Sequence, residues 1–282
     1  MKSRRSFIQS LTALATIPFF STEKLFARPA FDINQTRGKS PKLRFALASD
    51  GHYGQPDTES DKHFEDLVNW LNDEHSIKPL DFVIFNGDLV HDDPNLLNKV
   101  KSAYFDKLHF PYYAVPGNHD RCTTQQWKTV FGYEDNHHFE LNNIGIIMAN
   151  TSNPKGEYVG PDNAYLRNAL EKYKSKVTVF VVLHIPPHQW LPQETFFSNS
   201  PQTVSLLHQY PNIKAVFHGH DHSLDGVRYT QKLPHFFDGH FGGNWGTEYK
   251  GYRIVEISDK DEIFSYQVNA SKSPVINKTQ LK

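Results

Sequence analysis

Residues 43–52 read Leu-Arg-Phe-Ala-Leu-Ala-Ser-Asp-Gly-His, an apolar run that stops on Asp50, Gly51 and His52. Such a run is the signature of a buried strand that delivers polar side chains into the loop at its C-terminal end. The same device recurs four times. Residues 82–85 run into Asn86, Gly87 and Asp88, and residues 112–115 run into the turn Pro116, Gly117, Asn118, His119, Asp120. Residues 177–183 end at His184, where Pro186 and Pro187 forbid continuation. Residues 213–217 lead into His218, Gly219, His220, Asp221 and His222.

Helical spacings separate these strands. Phe64, Leu67, Val68 and Leu71 fall on one helical face, and Leu96, Leu97, Val100 and Leu108 suggest a second, opened by Pro94 after a capping Asp93. A short helix is expected around 125–131, and Asp162 is placed to cap a helix carrying Leu166, Leu170 and Tyr173. Alternation in 138–141 and the run 144–149 predict a hairpin turning at Asn142 and Asn143, while 252–257 and 263–268 read as further strands. Helices between strands give an α/β (α+β) class, and strand ends gathered at one sheet edge are where open α/β folds place their sites.

Composition narrows the chemistry. A hydrophobic share of 38% is enough for a sizeable core and excludes a disordered chain. The formal net charge of −1 gives no electrostatic reason to expect nucleic acid as a partner. Cys122 is the single cysteine, so neither an intrachain disulfide nor a cysteine cluster for zinc is possible, and any metal must sit on nitrogen and oxygen.

The five polar strand ends supply that donor set. Two cations a few ångströms apart repel each other, so carboxylates must lie between and around them, and Asp88 is the candidate bridge. Histidine with carboxylate or amide oxygen suits zinc, iron or manganese, whereas magnesium or calcium favours an all-oxygen shell. On an extended segment Asp50 and His52 would point to the same side and converge on one ion, whereas His220 and His222 need a turn to splay between two. Gly87, Gly117 and Gly219 directly precede candidate ligands, where a missing side chain permits close approach.

The ordered set DxH, GD, GNHD, a lone His and GHxH, spanning Asp50 to His222, resembles the calcineurin-like metallophosphoesterase superfamily. The resemblance implies a four-layer fold of two packed mixed β-sheets flanked by helices. It implies one metal on Asp50, His52, Asp88 and His222, and a second on Asp88, Asn118, His184 and His220. In the family two divalent or mixed-valence ions lower the pKa of a shared, bridging water so that hydroxide forms near neutral pH, while clamping phosphoryl oxygens. The histidine matching His119 is thought to protonate the departing oxygen, and Asp120 would orient it. Purple acid phosphatases place a tyrosine ligand where this chain has His91, so it departs from that branch and looks more like class III cyclic nucleotide phosphodiesterases. A phosphodiesterase acting on a nucleotide or related small molecule is expected, with a phosphomonoesterase or a non-catalytic metal-binding secreted protein as alternatives. Tyr53, Arg121, His188, Gln189, His240, Asn244 and Trp245 are candidate contacts outside the ligands, with Trp245 expected in the core.

The N-terminus reads as an address. Arg4 and Arg5 precede an apolar stretch from residue 11 to 20 and small residues near Ala27 and Ala30, resembling a twin-arginine export signal. The stretch is too short to span a bilayer. The expected organisation is an export signal over 1–30, a linker over 31–40, the catalytic domain over 41–270 and a tail over 271–282. The expected partners are the twin-arginine machinery and a small phosphoester, with a periplasmic or extracytoplasmic destination.

Overall fold

The computed structural model describes residues 41–272 and 275–281; the export signal and linker expected over 1–40 lie outside the described residues. One sheet is built on β1 (Leu43–Ala48), β2 (Phe82–Asn86) and β3 (Tyr112–Val115), which run parallel. Three antiparallel strands extend it on the β1 side: β10 (Tyr252–Ile257), β11 (Ile263–Val268) and β12 (Val275–Leu281). The second sheet has a parallel centre of β5 (Ile144–Ala149), β6 (Thr178–Leu183), β7 (Ile213–His218) and β9 (Leu233–Phe237). Its antiparallel edges are β4 (His137–Leu141) and β8 (Val227–Thr230).

Period-two alternation decides which side chains meet. Leu43, Phe45 and Leu47 of β1 face the second sheet, where Ile146, Phe180, Val182 and Phe217 meet them; Phe45 lies 4.9 Å from the Phe82 ring and 5.5 Å from Phe180. Ala46 and Ala48 face the other way, against α1 (Ser60–Ile77), α2 (Leu97–Ala103) and α3 (Thr124–Phe131) through Phe64, Leu67, Val100 and Trp127. On the far side, Val179, Val181 and Val216 pack on α4 (Asn163–Lys172) and α5 (Pro201–Leu207). The result is four layers, two mixed sheets between two layers of helices.

The caps follow the local chemistry. Asp93 accepts from the Asn95 N–H and opens a 3-10 turn, after which α2 closes at Ala103, so Leu108 lies beyond it. Asp162 accepts from the N–H groups of Ala164 and Tyr165 and starts α4. Asn142 and Asn143 both take positive φ (52° and 65°), which closes the β4–β5 hairpin as expected. The segment assigned to a tail, 271–282, is corrected in part: residues 275–281 form β12, paired with β11, so the domain does not end at residue 270.

The two sheets are joined near one edge by a buried ion pair. Arg253 of β10 donates to Asp238, just past β9, at 3.0 Å, and to the Phe237 carbonyl at 2.7 Å; neither side chain is exposed. Asp238 also accepts from Asn86 at 3.4 Å, which ties the end of β2 to the second sheet.

Candidate metal centre

The C-terminal ends of β1, β2, β3, β6 and β7 bring all seven candidate ligands to one edge, where each is at least 95% buried. The loops after β1 and β2 are stitched together by backbone bonds from Asp50 to Gly87, His52 to Asp88 and Tyr53 to Leu89, at 3.1, 2.9 and 3.0 Å. Gly219 lets the β7 loop approach: a Cβ there would lie 1.8 Å from Ser49 Oγ and 2.6 Å from Asp50 Oδ2.

Asp50 and His52 converge, but not through extended backbone. Both are left-handed, with φ of 61° and 48°, as are Asp88 (52°) and His220 (70°). Non-glycine residues in this region cost on the order of 1–3 kcal/mol each and persist where the surroundings fix them. Four such residues in one ligand set mark a site whose backbone is shaped by its side chains' task. The turn foreseen for His220 and His222 is of this kind.

Two carboxylate-bearing groups result, Asp50 with His52 and His222, and Asp88 with His184 and His220, and a third, His52 with His91 and His119, has no carboxylate; within each, the ligating atoms lie within 4.8 Å of one another. His222 Nε2 is 3.0 Å from His52 Nε2 and 3.1 Å from Asp50 Oδ1. Asp88 Oδ2 is 3.2 Å from His184 Nε2 and 3.6 Å from His52 Nε2, so this one carboxylate reaches both groups. Ligands bound at about 2.1 Å around one ion stand roughly 3–3.5 Å apart, and these separations match that spacing.

The tautomers fit as well. His184 Nδ1–H donates to the Asn86 carbonyl at 2.6 Å and His222 Nδ1–H to the Trp245 carbonyl at 3.0 Å, which leaves Nε2 of each facing the cluster. His184 Nε2, His220 Nε2 and Asn118 Oδ1 are buried and make no hydrogen bond. His184 Nε2 approaches Asp88 Oδ2 at 3.2 Å, but its geometry is not that of a hydrogen bond. Buried polar atoms without partners are rare; two of these, on His184 and His220, group with Asp88, and the third, on Asn118, belongs to the residue before the N–H that donates to Asp88, a donor set that a cation would satisfy.

The carboxylates and histidines of the cluster shift one another's charge, and His222 as well as His184 is raised by the carboxylates beside it. Burial alone would lower the His184 pKa, but Asp88 and then Asp50 override it and raise it to about 9. Burial would raise Asp50, but His222 and His184 draw it down to about 2. Burial dominates at His52 and His220, each pushed to about 3, so both present neutral rings.

His119 sits beside the ligands as expected. Its backbone N–H donates to Asp88 Oδ1 at 2.8 Å, and its ring lies 4.9 Å from that of His52. The orienting role assigned to Asp120 is corrected. Asp120 is fully buried, with Oδ1 accepting from the N–H groups of Leu89 and Val90 and Oδ2 from Gly117, so it braces the GD and GNHD loops. His119 Nδ1–H instead donates to Asp92 Oδ1 at 2.8 Å, and Arg121 Nε holds the same oxygen at 2.8 Å. Nothing in the sequence separated Asp92 from an ordinary turn aspartate. His91 lies 3.1 Å from His52 Nδ1 and stacks on His119 at 4.7 Å, so it backs a ligand on one side and the acid candidate on the other.

The outer candidates scatter. Tyr53 is in the core, donating to Asp61 at 2.5 Å; His240 is buried and bonded within its own loop; Gln189 donates to the carbonyls of Pro192 and Glu194. His188 packs edge-on against Trp190, and Asn244 is exposed. Trp245, expected in the core, is 40% exposed and stacks on the His222 ring at 4.0 Å.

A family model for calcineurin-like phosphoesterases matches residues 43–224. The chain is 24% identical over 206 residues to a probable cyclic nucleotide phosphodiesterase of Fibrobacter succinogenes, covering 67% of this chain and 77% of the relative. It is 26% identical over 172 residues to a probable glycerophosphodiester phosphodiesterase of Arcobacter nitrofigilis, covering 56% of this chain and 63% of the relative. Among solved structures, a dimetal phosphatase from Danio rerio superposes with a TM-score of 0.68 at 13% identity, over 86% of this chain and 99% of the other. At that identity the likeness establishes the fold.

Proposed function

The chain belongs to the calcineurin-like phosphoesterase family, and from that premise we propose that it is a two-metal phosphodiesterase whose ions sit on Asp50, His52, Asp88, His222 and on Asp88, Asn118, His184, His220. The observation that carries the ligand assignment is the grouping of His184 and His220, whose buried Nε2 atoms make no hydrogen bond, with the one carboxylate that reaches both groups; Asn118, whose buried Oδ1 is likewise unpartnered, joins them on the family resemblance. The nitrogen and oxygen donors favour manganese, iron or zinc. Ions held there would lower the pKa of a water so that hydroxide is available at neutral pH, and would supply positive charge for the phosphoryl oxygens.

The protein's own groups do the rest. With Nδ1–H committed to Asp92, the His119 ring presents Nε2 as the atom that hands a proton to the departing oxygen. Asp92 positions that ring, and Asp120 holds the two loops in register. Burial of the ligands keeps bulk water from competing for the carboxylates.

Preference for diesters is supported by the names of the two relatives, both phosphodiesterases. Manganese-supplemented protein is expected to hydrolyse bis(4-nitrophenyl) phosphate with a higher kcat/KM than 4-nitrophenyl phosphate, and a chelator should abolish both activities reversibly. A preference for the monoester would overturn the diesterase reading; activity that survives exhaustive chelation would overturn the metal.

Export is proposed on the basic pair Arg4 and Arg5 before an apolar stretch. A receptor-read address of this type should fail when both arginines become lysines. Fractionation of cells carrying Arg4→Lys with Arg5→Lys is expected to find the protein retained in the cytoplasm. Unchanged export would remove the twin-arginine assignment. Among the described residues no helix is long and apolar enough to cross a membrane.

A further inference from the structure

We infer that Tyr158, Phe196 and Trp245 form a subsite at the mouth of the metal centre that takes a flat ring carried by the phosphoester. The inference rests on the phosphoesterase reading above and adds the chemistry of the group next to the phosphate. Among the described residues seven large hydrophobic side chains are exposed, and three of them gather on the metal-site histidines. Tyr158 meets the His220 ring edge-on at 4.6 Å and Phe196 meets the same ring edge-on at 5.4 Å. Trp245 lies nearly parallel to His222 at 4.0 Å, and Phe196 stacks with Trp245 at 5.7 Å.

Local sequence does not account for the grouping. Tyr158 follows β5, Phe196 follows β6 and Trp245 lies between β9 and β10, so three separate loops each deliver one aromatic ring to the same edge. Single exposed apolar residues are ordinary, whereas a cluster of them beside a polar site marks a binding surface. The three are 38%, 38% and 40% exposed, so ring surface stays available to a ligand.

The rim is also held in place before any ligand arrives. Glu194 accepts from the N–H groups of Trp190 and Leu191, Trp190 Nε1–H donates to the Tyr229 carbonyl at 2.9 Å, and Ser198 N–H donates to Pro186 at 2.9 Å. These bonds fix the loop that carries Phe196. The Trp245 carbonyl receives His222 Nδ1–H, and Thr247 N–H returns to the His222 carbonyl at 3.0 Å. A preformed aromatic surface loses little entropy when a flat ring stacks on it, and stacking is tolerant of ring identity. Because it adjoins a centre built for a phosphate, its occupant carries both a ring and a phosphoryl group.

Calorimetric titration of the manganese-loaded full chain with adenosine 5′-monophosphate, methyl phosphate and hexyl phosphate tests this. The nucleotide is expected to bind about five- to 150-fold more tightly than methyl phosphate, the range for one stacked base. Phe196→Leu with Tyr158→Leu keeps apolar volume without flat faces and should remove most of that advantage. Equal affinity for nucleotide and methyl phosphate in the wild-type protein overturns the subsite, as does a nucleotide advantage unchanged in the double variant. Tighter binding of hexyl phosphate than of the nucleotide also overturns it, in favour of an alkyl site. Hydrolysis of the nitrophenyl esters is read separately: its absence with the nucleotide preference intact removes the enzymatic reading alone.

Discussion

Asp88→Asn is expected to empty the site of at least one ion and to abolish hydrolysis while leaving the fold intact. The substitution keeps the size and shape of the side chain and removes its charge. That charge is the one shared by both histidine groups, 3.2 Å from His184 Nε2 and 3.6 Å from His52 Nε2. Two dications about 3.5–4 Å apart repel by roughly 17–19 kcal/mol even at an effective dielectric of 20, so an anion between them is required rather than helpful. The loss in metal affinity should exceed the ten- to hundredfold typical of outer-shell partners. Elemental analysis beside circular dichroism would show it, and a variant that keeps two ions and full activity would falsify Asp88 as the bridge.

The same carboxylate sets the pH dependence of loading. In the metal-free protein Asp88 and Asp50 raise His184 to about 9 against the effect of burial, so at pH 7 its ring carries a proton. A cation binds only the neutral ring. Uptake at pH 7 should therefore release a proton to a weakly buffered solution, and affinity should climb with pH until about 9. Asp50, drawn down to about 2, is already ionised and adds nothing to this slope above pH 5. In Asp88→Asn the largest force holding that proton is gone, so the release at pH 7 should shrink. Proton release equal in both proteins would show that His184 is not the group displaced.

What the chain could reveal by itself divides along a physical line. Strand ends such as 43–52 were legible because a buried parallel strand must be apolar throughout and its loop must be polar, so the switch at Ser49–Asp50 can be read directly. The β8–β9 hairpin and α5 carried no such contrast: β9 contains Pro234 beside His235, and α5 is only seven residues long. At the site, residue type and order pointed to the five polar strand ends, and the family resemblance to seven candidate ligands among them, but backbone conformation did not follow from either. Asp50 and His52 meet through left-handed turns that a period-two argument cannot foresee. The contact with His119 expected of Asp120 falls to Asp92 for a similar reason. Which of two nearby aspartates faces a histidine depends on loop packing; Asp120 is drawn inward by three backbone N–H groups and Asp92 is left at the rim. Trp245 was misplaced because its size argues for burial, while its position above His222 is set by a bond from that ring to its own carbonyl.

His119→Ala is expected to keep both ions and the fold and to lose about a hundredfold to ten-thousandfold in turnover on esters with poor leaving groups, the range typical of general acid assistance. The ring is half-buried at the edge of the cluster and belongs to neither ligand group with Asp88 or Asp50, so its removal deletes no assigned ligand. The backbone N–H that donates to Asp88 Oδ1 survives the substitution, which preserves the bridge's geometry. An alkyl or nucleoside oxygen must be protonated as it departs, whereas nitrophenolate leaves with little help, so the variant should be impaired far more on the former. A general loss of folding or metal would depress both equally. The wild-type pH profile should show an acid and a base limb, with the base limb weakened in the variant. Asp92→Asn gives the intermediate case: the amide can still contact Nδ1 but no longer offers an anion, so the loss should fall between wild type and His119→Ala and keep the same dependence on leaving group. Equal rates of His119→Ala and wild type on both ester classes, at full metal content, would move proton delivery to solvent or to another ring, of which His91, stacked on His119 at 4.7 Å, is the nearest at hand.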